Sequence, residues 1–226
     1  MYKRQLDWLI EVRKLHPDVI RRMRLGYHNG EERETWGKTP VYLPRSIVIP
    51  WWSGGTIQKI NLRPPEPIGG RKYTLVSGSA NGIYNLDALN GWSPVIMVEG
   101  EMNALAILSA TDEFIPVATG AVSWGRAFPW VVKLAAQPEI ILAFDQDEAG
   151  RSCTAWWRDH LPHAETIDLP EGVKDANELA QHDPQGIVRW LERFSARTEN
   201  RVSEALKIRI REEMGAAGWK LTPITV

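Results

Sequence analysis

Carboxylate side chains follow three separate apolar stretches in the second half of the chain. Carboxylates that are held close together repel one another, so such an arrangement is stable mainly around a cation. All-oxygen ligands suit Mg²⁺ or Mn²⁺, whereas softer metals favour Cys or His. These hard cations serve phosphoryl-transfer chemistry because they neutralise developing charge and orient oxygens. The acids concerned are Glu99, Asp145, Asp147, Asp175 and Glu178.

For each acid taken alone, helix capping is the simpler explanation. Asp and Glu at a strand-to-helix junction commonly accept backbone N–H bonds or complement the helix dipole. An acid after one strand combined with Asp-x-Asp after another favours metal binding instead. We expect Glu101 and Glu148 to be simple helix-start charges. Gly100 and Gly150 are expected to allow a phosphate or a backbone segment to approach closely.

An alternating strand and helix pattern, which begins near residue 93, must position these acids. This order is typical of an α/β fold in which a mostly parallel sheet has helices on both faces. Ligands of such sheets gather at the carboxyl ends of the strands, so acids from neighbouring strands would meet at one edge. The predicted strands are 95–98, 114–118, 139–144 and 164–169, and the predicted helices are 101–109, 127–136, 149–160 and 176–181.

The first part of the chain predicts a smaller α+β lobe. Apolar residues at helical spacing over 6–25 predict two short helices that Pro17 divides. Alternating apolar residues on both sides of Gly54-Gly55 predict a β-hairpin from 46–52 to 56–63. The remaining predictions here are loops over 26–44 and 64–70 and one or two short strands within 73–84.

Three parts follow from this organisation. We predict an N-terminal α+β lobe over 1–90, an α/β domain over 91–184 and a C-terminal tail over 185–226. The tail is charged and amphipathic, and we expect it to be helical from about 185 to 214. With 43% hydrophobic residues, the chain can fill a core of substantial size.

Composition restricts the compartment and the partners. Lys plus Arg number 27 and Asp plus Glu number 28, so the strongly basic total that favours nucleic-acid binding is missing. The single cysteine, Cys153, excludes an internal disulfide and a Cys-rich zinc site. The chain starts without an apolar signal segment, and no stretch approaches the roughly 18 apolar residues of a membrane span. We therefore expect a cytoplasmic protein with no membrane partner.

Two motifs carry a resemblance to a known family. Glu99-Gly100 after the first predicted strand and Asp145-Gln146-Asp147 after the third resemble the signature of the TOPRIM domain. DnaG-type primases, type IA and type II topoisomerases and related nucleases share this domain. Over about residues 10–190 the chain is similar to the primases in particular. The similar segments are 118–121, 170–179, the hairpin that ends at Asn61-Leu62-Arg63, Arg71-Lys72-Tyr73 and 83–86.

The resemblance implies roles for individual side chains. Glu99, Asp145 and Asp147 would be catalytic and, together with Asp175, would bind Mg²⁺ (or Mn²⁺). Contacts to nucleic acid or to a triphosphate would come from Arg63 and Lys72, with Lys59 and Arg71 as weaker candidates.

Each basic residue also has a simpler explanation, because most Arg and Lys side chains are merely exposed to solvent. This holds for the strand residues and for an early basic group. That group either tracks a phosphate backbone or forms the solvated face of a helix. We expect at least one of Trp51 and Trp52 to pack in the core, since alternation places neighbours on opposite faces. The early basic group is Arg13, Lys14, Arg21, Arg22 and Arg24.

The resemblance implies a primase-like nucleotidyltransferase that makes short RNA primers on single-stranded DNA from ribonucleoside triphosphates. A metal-dependent TOPRIM nuclease and a non-catalytic nucleic-acid-binding or protein-binding module are the alternatives. With one cysteine and a short tail, we expect the chain to lack the zinc-binding and helicase modules of full-length primases. We therefore expect either a catalytic core served by a helicase or a separate zinc-binding template-recognition protein, or a free-standing primase of a phage or mobile element.

Overall fold

The computed structural model describes residues 3–30, 32–36, 39–120, 125–192 and 194, with the backbone alone for 32–36 and 39–42. One compact unit spans residues 1–190 and a second spans 191–226. The three-part division at residues 90 and 184 stays a prediction. Within the described ranges, no helix combines the length and the apolar character needed to cross a bilayer.

Two short helical segments open the chain, as the sequence predicts. Pro17 lies in the first turn of the second helix. A backbone N–H at this position would have no intrahelical partner, so proline costs no hydrogen bond there. His16 caps this helix, because its Nδ1 accepts a hydrogen bond of 3.2 Å from the backbone N–H of Asp18. The segments are α1 (Lys3–Asp7), which continues as a π-helical turn (Trp8–Val12), and α2 (Pro17–Arg22).

The N-terminal lobe is built on a four-stranded antiparallel sheet in the order β1-β4-β5-β6. β4 and β5 form the predicted hairpin around Gly54-Gly55. The strands are β1 (Gly26–His28), β2 (Glu32–Trp36), β3 (Thr39–Leu43), β4 (Ser46–Ser53), β5 (Thr56–Arg63) and β6 (Thr74–Leu75).

The predicted loop over 26–44 is wrong, because this region contains three strands. β1 pairs with β4, and β2 pairs with β3 as a separate two-stranded sheet. These strands are defined by backbone pairing, and polar residues such as Glu32, Arg33 and Glu34 hide them from a search for apolar alternation. Of the one or two strands expected within 73–84, the structure contains the short β6.

The second half of the described chain has the predicted alternation of strands and helices. All four strands are parallel, in the order β10-β9-β7-β8, so the first, third and fourth strands of this half are neighbours. A 3₁₀ turn (Leu86–Ala88) precedes the sheet, and 186–192 is helical, whereas the rest of the predicted tail helix lies outside the described residues. The elements are β7 (Val95–Val98), α3 (Glu101–Ala110), β8 (Ile115–Ala118), α4 (Phe128–Ala135), β9 (Ile140–Leu142), α5 (Glu148–His160), β10 (Glu165–Thr166) and α6 (Ala176–His182).

Helices cover both faces of the parallel sheet. Val95 and Met97 of β7 pack in a buried cluster with Val131 of α4 and Trp157 of α5. The alternate residues of β7 point to the opposite face, and α3 packs against β7 and β8 and against α2 and α6. The α/β class predicted from the sequence is therefore confirmed.

Trp157 is the largest side chain in the cluster between the sheet and α5, and it is completely buried. We expect Trp157→Ala to lower the free energy of unfolding by about 3–5 kcal/mol, because it removes a large apolar volume and leaves a cavity. Chemical denaturation with a fit of the free energy in water measures this loss. Trp92→Ala is the control, since Trp92 is 70% exposed and its replacement should change stability by no more than about 0.5 kcal/mol. Equal effects of the two replacements would contradict the assigned core.

Candidate metal and nucleic-acid site

A crevice lies at the carboxyl edge of the parallel sheet, between β7 and β9. The chain leaves β7 toward β8 and leaves β9 toward β10, in opposite directions, and ligands of open α/β sheets bind at such reversals. Glu99 follows β7 and Asp145 follows β9. Both line a cavity of about 650 Å³, together with Asp175. Acids from three strand ends therefore surround one cavity.

The two acids nearest the strand ends are destabilised as anions. Burial, followed by the charges of Glu99 and Asp175, raises the pKa of Asp145 to about 7. Burial also raises the pKa of Glu99, with further contributions from Asp147 and Asp175. The exposed Lys174 opposes both increases. Within the described part of the chain, the cation that acts against both pKa increases is therefore an exposed one.

Asp147 and Asp175 have capping roles. Asp147 is the N-cap of α5, and its Oδ1 accepts a bond of 2.8 Å from the Gly150 N–H. Asp175 is the N-cap of α6, and its Oδ1 accepts a bond of 2.8 Å from the Glu178 N–H. Asp147 is exposed and does not line the cavity. For these two acids the simpler explanation from the sequence is therefore observed, which leaves the prediction that they also bind metal untested.

Gly150 lets the start of α5 pass directly over Asp145. A Cβ at position 150 would lie 1.9 Å from the backbone carbonyl oxygen of Asp145, closer than atoms can approach. The close approach of backbone expected at Gly150 is therefore confirmed. Gly100 has open space around the corresponding position. The glycine thus sets where Asp145 sits relative to the helix.

The residues present suit a divalent cation in their chemistry. Oδ1 of Asp145 is buried, and nothing within the described part of the chain donates a hydrogen bond to it. A buried polar group without a partner costs about 1–3 kcal/mol, and more when it is charged. A hard cation would satisfy this oxygen and relieve the repulsion from Glu99. Among the described residues, no three Asp, Glu, His or Cys side chains are already gathered at metal-binding spacing. The metal-ligand set stays a prediction.

Apart from the buried Glu101, the remaining charged residues of the cavity are cationic and come mainly from the N-terminal lobe. All four predicted nucleic-acid contacts line it: Lys59, Arg63, Arg71 and Lys72. Arg63 is half-buried, and its Nη1 donates a bond of 2.6 Å to the hydroxyl of Tyr73. Arg71 and Lys72 are exposed. The cavity therefore combines acids from the sheet with cations from the lobe.

Arg13 also lines this cavity, although the sequence did not distinguish it from its basic neighbours. Its Nη1 donates a bond of 2.7 Å to Oδ1 of Asn177, and its guanidinium lies 4.7 Å from the ring centroid of Trp8. Burial, followed by the charge of Arg63, lowers the pKa of Arg13. A bound anion would relieve the repulsion between the two guanidiniums.

The rest of the early basic group lies elsewhere. Arg21 pairs with Asp18 on the exposed surface, and Arg22 lies 3.6 Å from Asp112. Arg24 lies over the ring of Trp52, 4.3 Å from the centroid. The solvated helix face expected as the simpler explanation is therefore observed for Arg21. The phosphate contact offered as the other explanation stays a prediction, and Arg13 is the member of the group that lines the cavity.

The expectation that Glu101 is a simple helix-start charge is wrong. Its side chain is buried, and Oε1 accepts hydrogen bonds from Nε1 of Trp51, at 2.9 Å, and from Nδ2 of Asn61. Trp51 is 2% exposed, which confirms the prediction that at least one tryptophan of its pair packs in the core. Glu148 is exposed, as expected of a helix-start charge. An acid-to-tryptophan bond across some fifty positions leaves no trace in local sequence patterns.

Comparison with known proteins agrees with the sequence motifs. The model of the Toprim-like family matches residues 96–180. No curated protein matches the chain by sequence. The matched segment contains both sequence motifs, and the predicted resemblance is confirmed.

Solved structures of primase fragments have the same fold. The Aquifex aeolicus primase (zinc-binding and RNA polymerase domains) aligns with a TM-score of 0.63 and 19% identity, over 84% of this chain and 55% of that one. A DNA primase domain from Pseudomonas aeruginosa aligns with a TM-score of 0.59 and 19% identity, over 79% of this chain and 68% of that one. The primase fragment of the bacteriophage T7 primase-helicase protein aligns with a TM-score of 0.55 and 18% identity, over 80% of this chain and 70% of that one. The chain thus spans little more than half of the Aquifex protein's length.

The raised pKa of Asp145 predicts how metal-free stability depends on pH. The folded protein holds a proton on Asp145 up to about pH 7, whereas the carboxyl has an ordinary value of 3.8. Between these values the folded state binds more protons, so its stability falls as pH rises and levels off above pH 7. We expect metal-free Asp145→Asn to melt at a higher temperature than wild type at pH 8, and no higher at pH 4. Thermal unfolding with a chelator present measures this difference.

Added Mg²⁺ should raise the melting temperature of wild type at pH 8 more than that of Asp145→Asn, because a ligand that binds the folded state stabilises it. A variant that is less stable than wild type at pH 8 would contradict the electrostatic assignment.

Proposed function

We propose that this chain, which carries a Toprim-like domain within a primase-like fold, is a metal-dependent nucleotidyltransferase. It would synthesise short RNA primers on single-stranded DNA from ribonucleoside triphosphates. The observation that carries the proposal is the single cavity in which half-buried acids of the sheet meet cations of the N-terminal lobe. Nucleotidyl transfer requires both kinds of charge, because a metal and a polyphosphate must be held together.

The acids are the proposed metal ligands. Glu99 and Asp145 are the half-buried pair, and Asp147 and Asp175 would each contribute the oxygen that does not cap a helix. A bound Mg²⁺ or Mn²⁺ supplies charge neutralisation at the reacting phosphate. Gly150 and the helix caps keep the acid-bearing segments in place, so the ligands need little reorganisation when a cation binds.

The cations are the proposed phosphate contacts. Arg13 and Arg63 are partly buried beside Trp8, which limits their motion and directs both guanidiniums toward the same cavity. Arg71, Lys72 and Lys174 are exposed and can follow a flexible polyanion. Guanidiniums bind phosphate oxygens in a fixed fork, whereas ammonium groups act as point charges. We assign the buried pair to orientation and the exposed group to attraction of nucleic acid or triphosphate.

The partners follow from what the chain contains. The Aquifex structure includes a zinc-binding domain and the T7 protein is a primase-helicase, whereas this chain has a single cysteine. We propose that template recognition is supplied by a zinc-binding module or a helicase that lies outside these 226 residues. Primer synthesis on a template without sequence preference is the alternative.

Primer synthesis is the direct test of the proposed function. We expect the wild-type protein with single-stranded DNA, ribonucleotides and Mg²⁺ or Mn²⁺ to yield lengthened labelled products on a denaturing gel. Shortening of the DNA would instead identify a nuclease. Neither change, under conditions in which the protein is folded, would indicate a non-catalytic binding module. Either of the last two outcomes would overturn the proposal.

Asp145→Asn should reduce primer synthesis by at least about a hundredfold, because it removes a charged ligand at the reacting centre. Asp159→Asn is the matched control, since Asp159 is exposed on α5 and should leave activity unchanged. Circular dichroism shows whether both variants are folded. Wild-type activity in Asp145→Asn would refute the assignment of this residue.

Arg63 should contribute to nucleic-acid affinity through phosphate. We expect Arg63→Gln to weaken binding of a single-stranded oligonucleotide and to reduce the slope of log affinity against log salt by about 0.7 per lost contact. Fluorescence anisotropy at several salt concentrations measures both quantities. Arg45→Gln is the control, because Arg45 is an exposed residue of the same lobe that does not line the cavity. Identical salt slopes for the two variants would contradict the role of Arg63.

A further inference from the structure

Glu101 is a buried carboxylate that stands two positions after Glu99. It opens α3 and is 2% exposed. Both donors to its Oε1, the indole of Trp51 and the amide of Asn61, belong to the hairpin of the N-terminal lobe. A buried carboxylate is tolerated only where hydrogen bonds or a counter-charge compensate for lost hydration. Its contacts therefore join the lobe to the helix that follows the first acid of the site.

Lys59 supplies the counter-charge across the same indole. It is 4% exposed, and its Nζ lies 3.7 Å from the ring centroid of Trp51. Burial lowers the pKa of Lys59, and the charge of Glu101 opposes that decrease. The Trp51 ring thus donates its N–H to a carboxylate and offers its face to an ammonium group. Removing the negative charge would leave the cation buried with less compensation.

Gly120 links this cluster to the backbone of Glu99. Its N–H donates a bond of 2.7 Å to the carbonyl oxygen of Glu99. A Cβ at position 120 would lie 2.5 Å from Cη2 of Trp51, and the residue has a φ of +75°. Trp51 also contacts the ring of Tyr84, with 5.6 Å between centroids. The indole is therefore packed against the segment that holds the acid in place.

The hairpin side of the cluster presents a row of side chains to the cavity. Lys59, Asn61 and Arg63 alternate along β5, so they share one face of the strand, and all three line the cavity. A hydrogen bond that holds Asn61 therefore restrains the cations on both sides of it.

We propose that Glu101 is a positioning residue, which sets the placement of the cationic row of β5 relative to Glu99 and Asp145. It would act through Trp51 and Asn61, without contacting nucleotide or metal itself. The inference rests on the proposed function, because it assigns the row to the binding of nucleotide phosphates. It adds that one buried carboxylate helps to hold the lobe in register with the parallel sheet.

Glu101→Gln tests this role, since it keeps the shape of the side chain and removes its charge. We expect kcat/KM to fall about tenfold or more, mainly through a higher KM for ribonucleotide, because the misplaced cations bind phosphate less well. The affinity for Mn²⁺, measured by electron paramagnetic resonance, should stay within about twofold of wild type, as the acids are untouched. A general loss of folded protein would lower kcat and leave KM unchanged. Glu148→Gln is the matched control, because Glu148 is also the first residue of a helix after a strand but is exposed.

Hydrogen exchange provides a readout that does not depend on activity. In Glu101→Gln we expect faster exchange in Thr56–Arg63 and unchanged exchange in Ile140–Leu142, which lies within the parallel sheet. If Glu101→Gln fails to fold, Trp51→Phe removes one of the two donors, keeps an aromatic ring and should show the same pattern to a smaller extent. Wild-type exchange in β5, or a loss of Mn²⁺ affinity as large as the loss of activity, would overturn the proposal. A wild-type protein that makes no primers would refute the proposed function, and the exchange comparison would still decide the role of Glu101.

Discussion

Repulsion between carboxylates at adjacent strand ends is the constraint around which the site is arranged. β7 and β9 are neighbours, and the acids that follow them are half-buried with raised pKa values. An arrangement of this kind lowers the stability of a metal-free protein, because burial and like charge both disfavour the ionised form. Such electrostatic strain is common at functional sites, where a ligand relieves it. Oδ1 of Asp145 accepts no hydrogen bond from the described residues, so it is the atom that a bound cation would stabilise most.

Helix caps and a close backbone contact keep the acidic residues near one another despite their mutual repulsion. Asp147 and Asp175 cap helices through one oxygen each, and Gly150 brings the start of α5 against the carbonyl group of Asp145. Capping and metal binding are therefore compatible uses of a carboxylate, since a cap occupies only one of its two oxygens. From the sequence, helix capping and metal binding look like alternatives. For Asp147 and Asp175 both roles are possible at once.

Three tryptophans of the N-terminal lobe are partners for cations. Arg13 and Arg63 lie near Trp8, Lys59 over Trp51, and Arg24 over Trp52, each within 6 Å of a ring centroid. An aromatic face stabilises a cation that has lost part of its hydration, and it does so without neutralising the charge. Cations held in this way stay available to anions. This use accounts for three of the eleven tryptophans of the chain.

The sequence by itself determined the α/β order, the strand ends that carry Glu99 and Asp145 and the central hairpin, because these depend on local periodicity and on motifs of adjacent residues. The four lobe cations came from the resemblance to primases, and their roles stay predictions. It failed for β1, β2 and β3, whose pairing depends on partners distant along the chain rather than on apolar alternation. Only the tertiary structure decided that Glu101 is buried against Trp51 and Asn61 and that Arg13 lines the cavity. The physical reason is that the sequence does not show whether a charged side chain is hydrated or hydrogen-bonded to a donor far away in the chain. Such a side chain becomes buried only when the lobe and the sheet pack together.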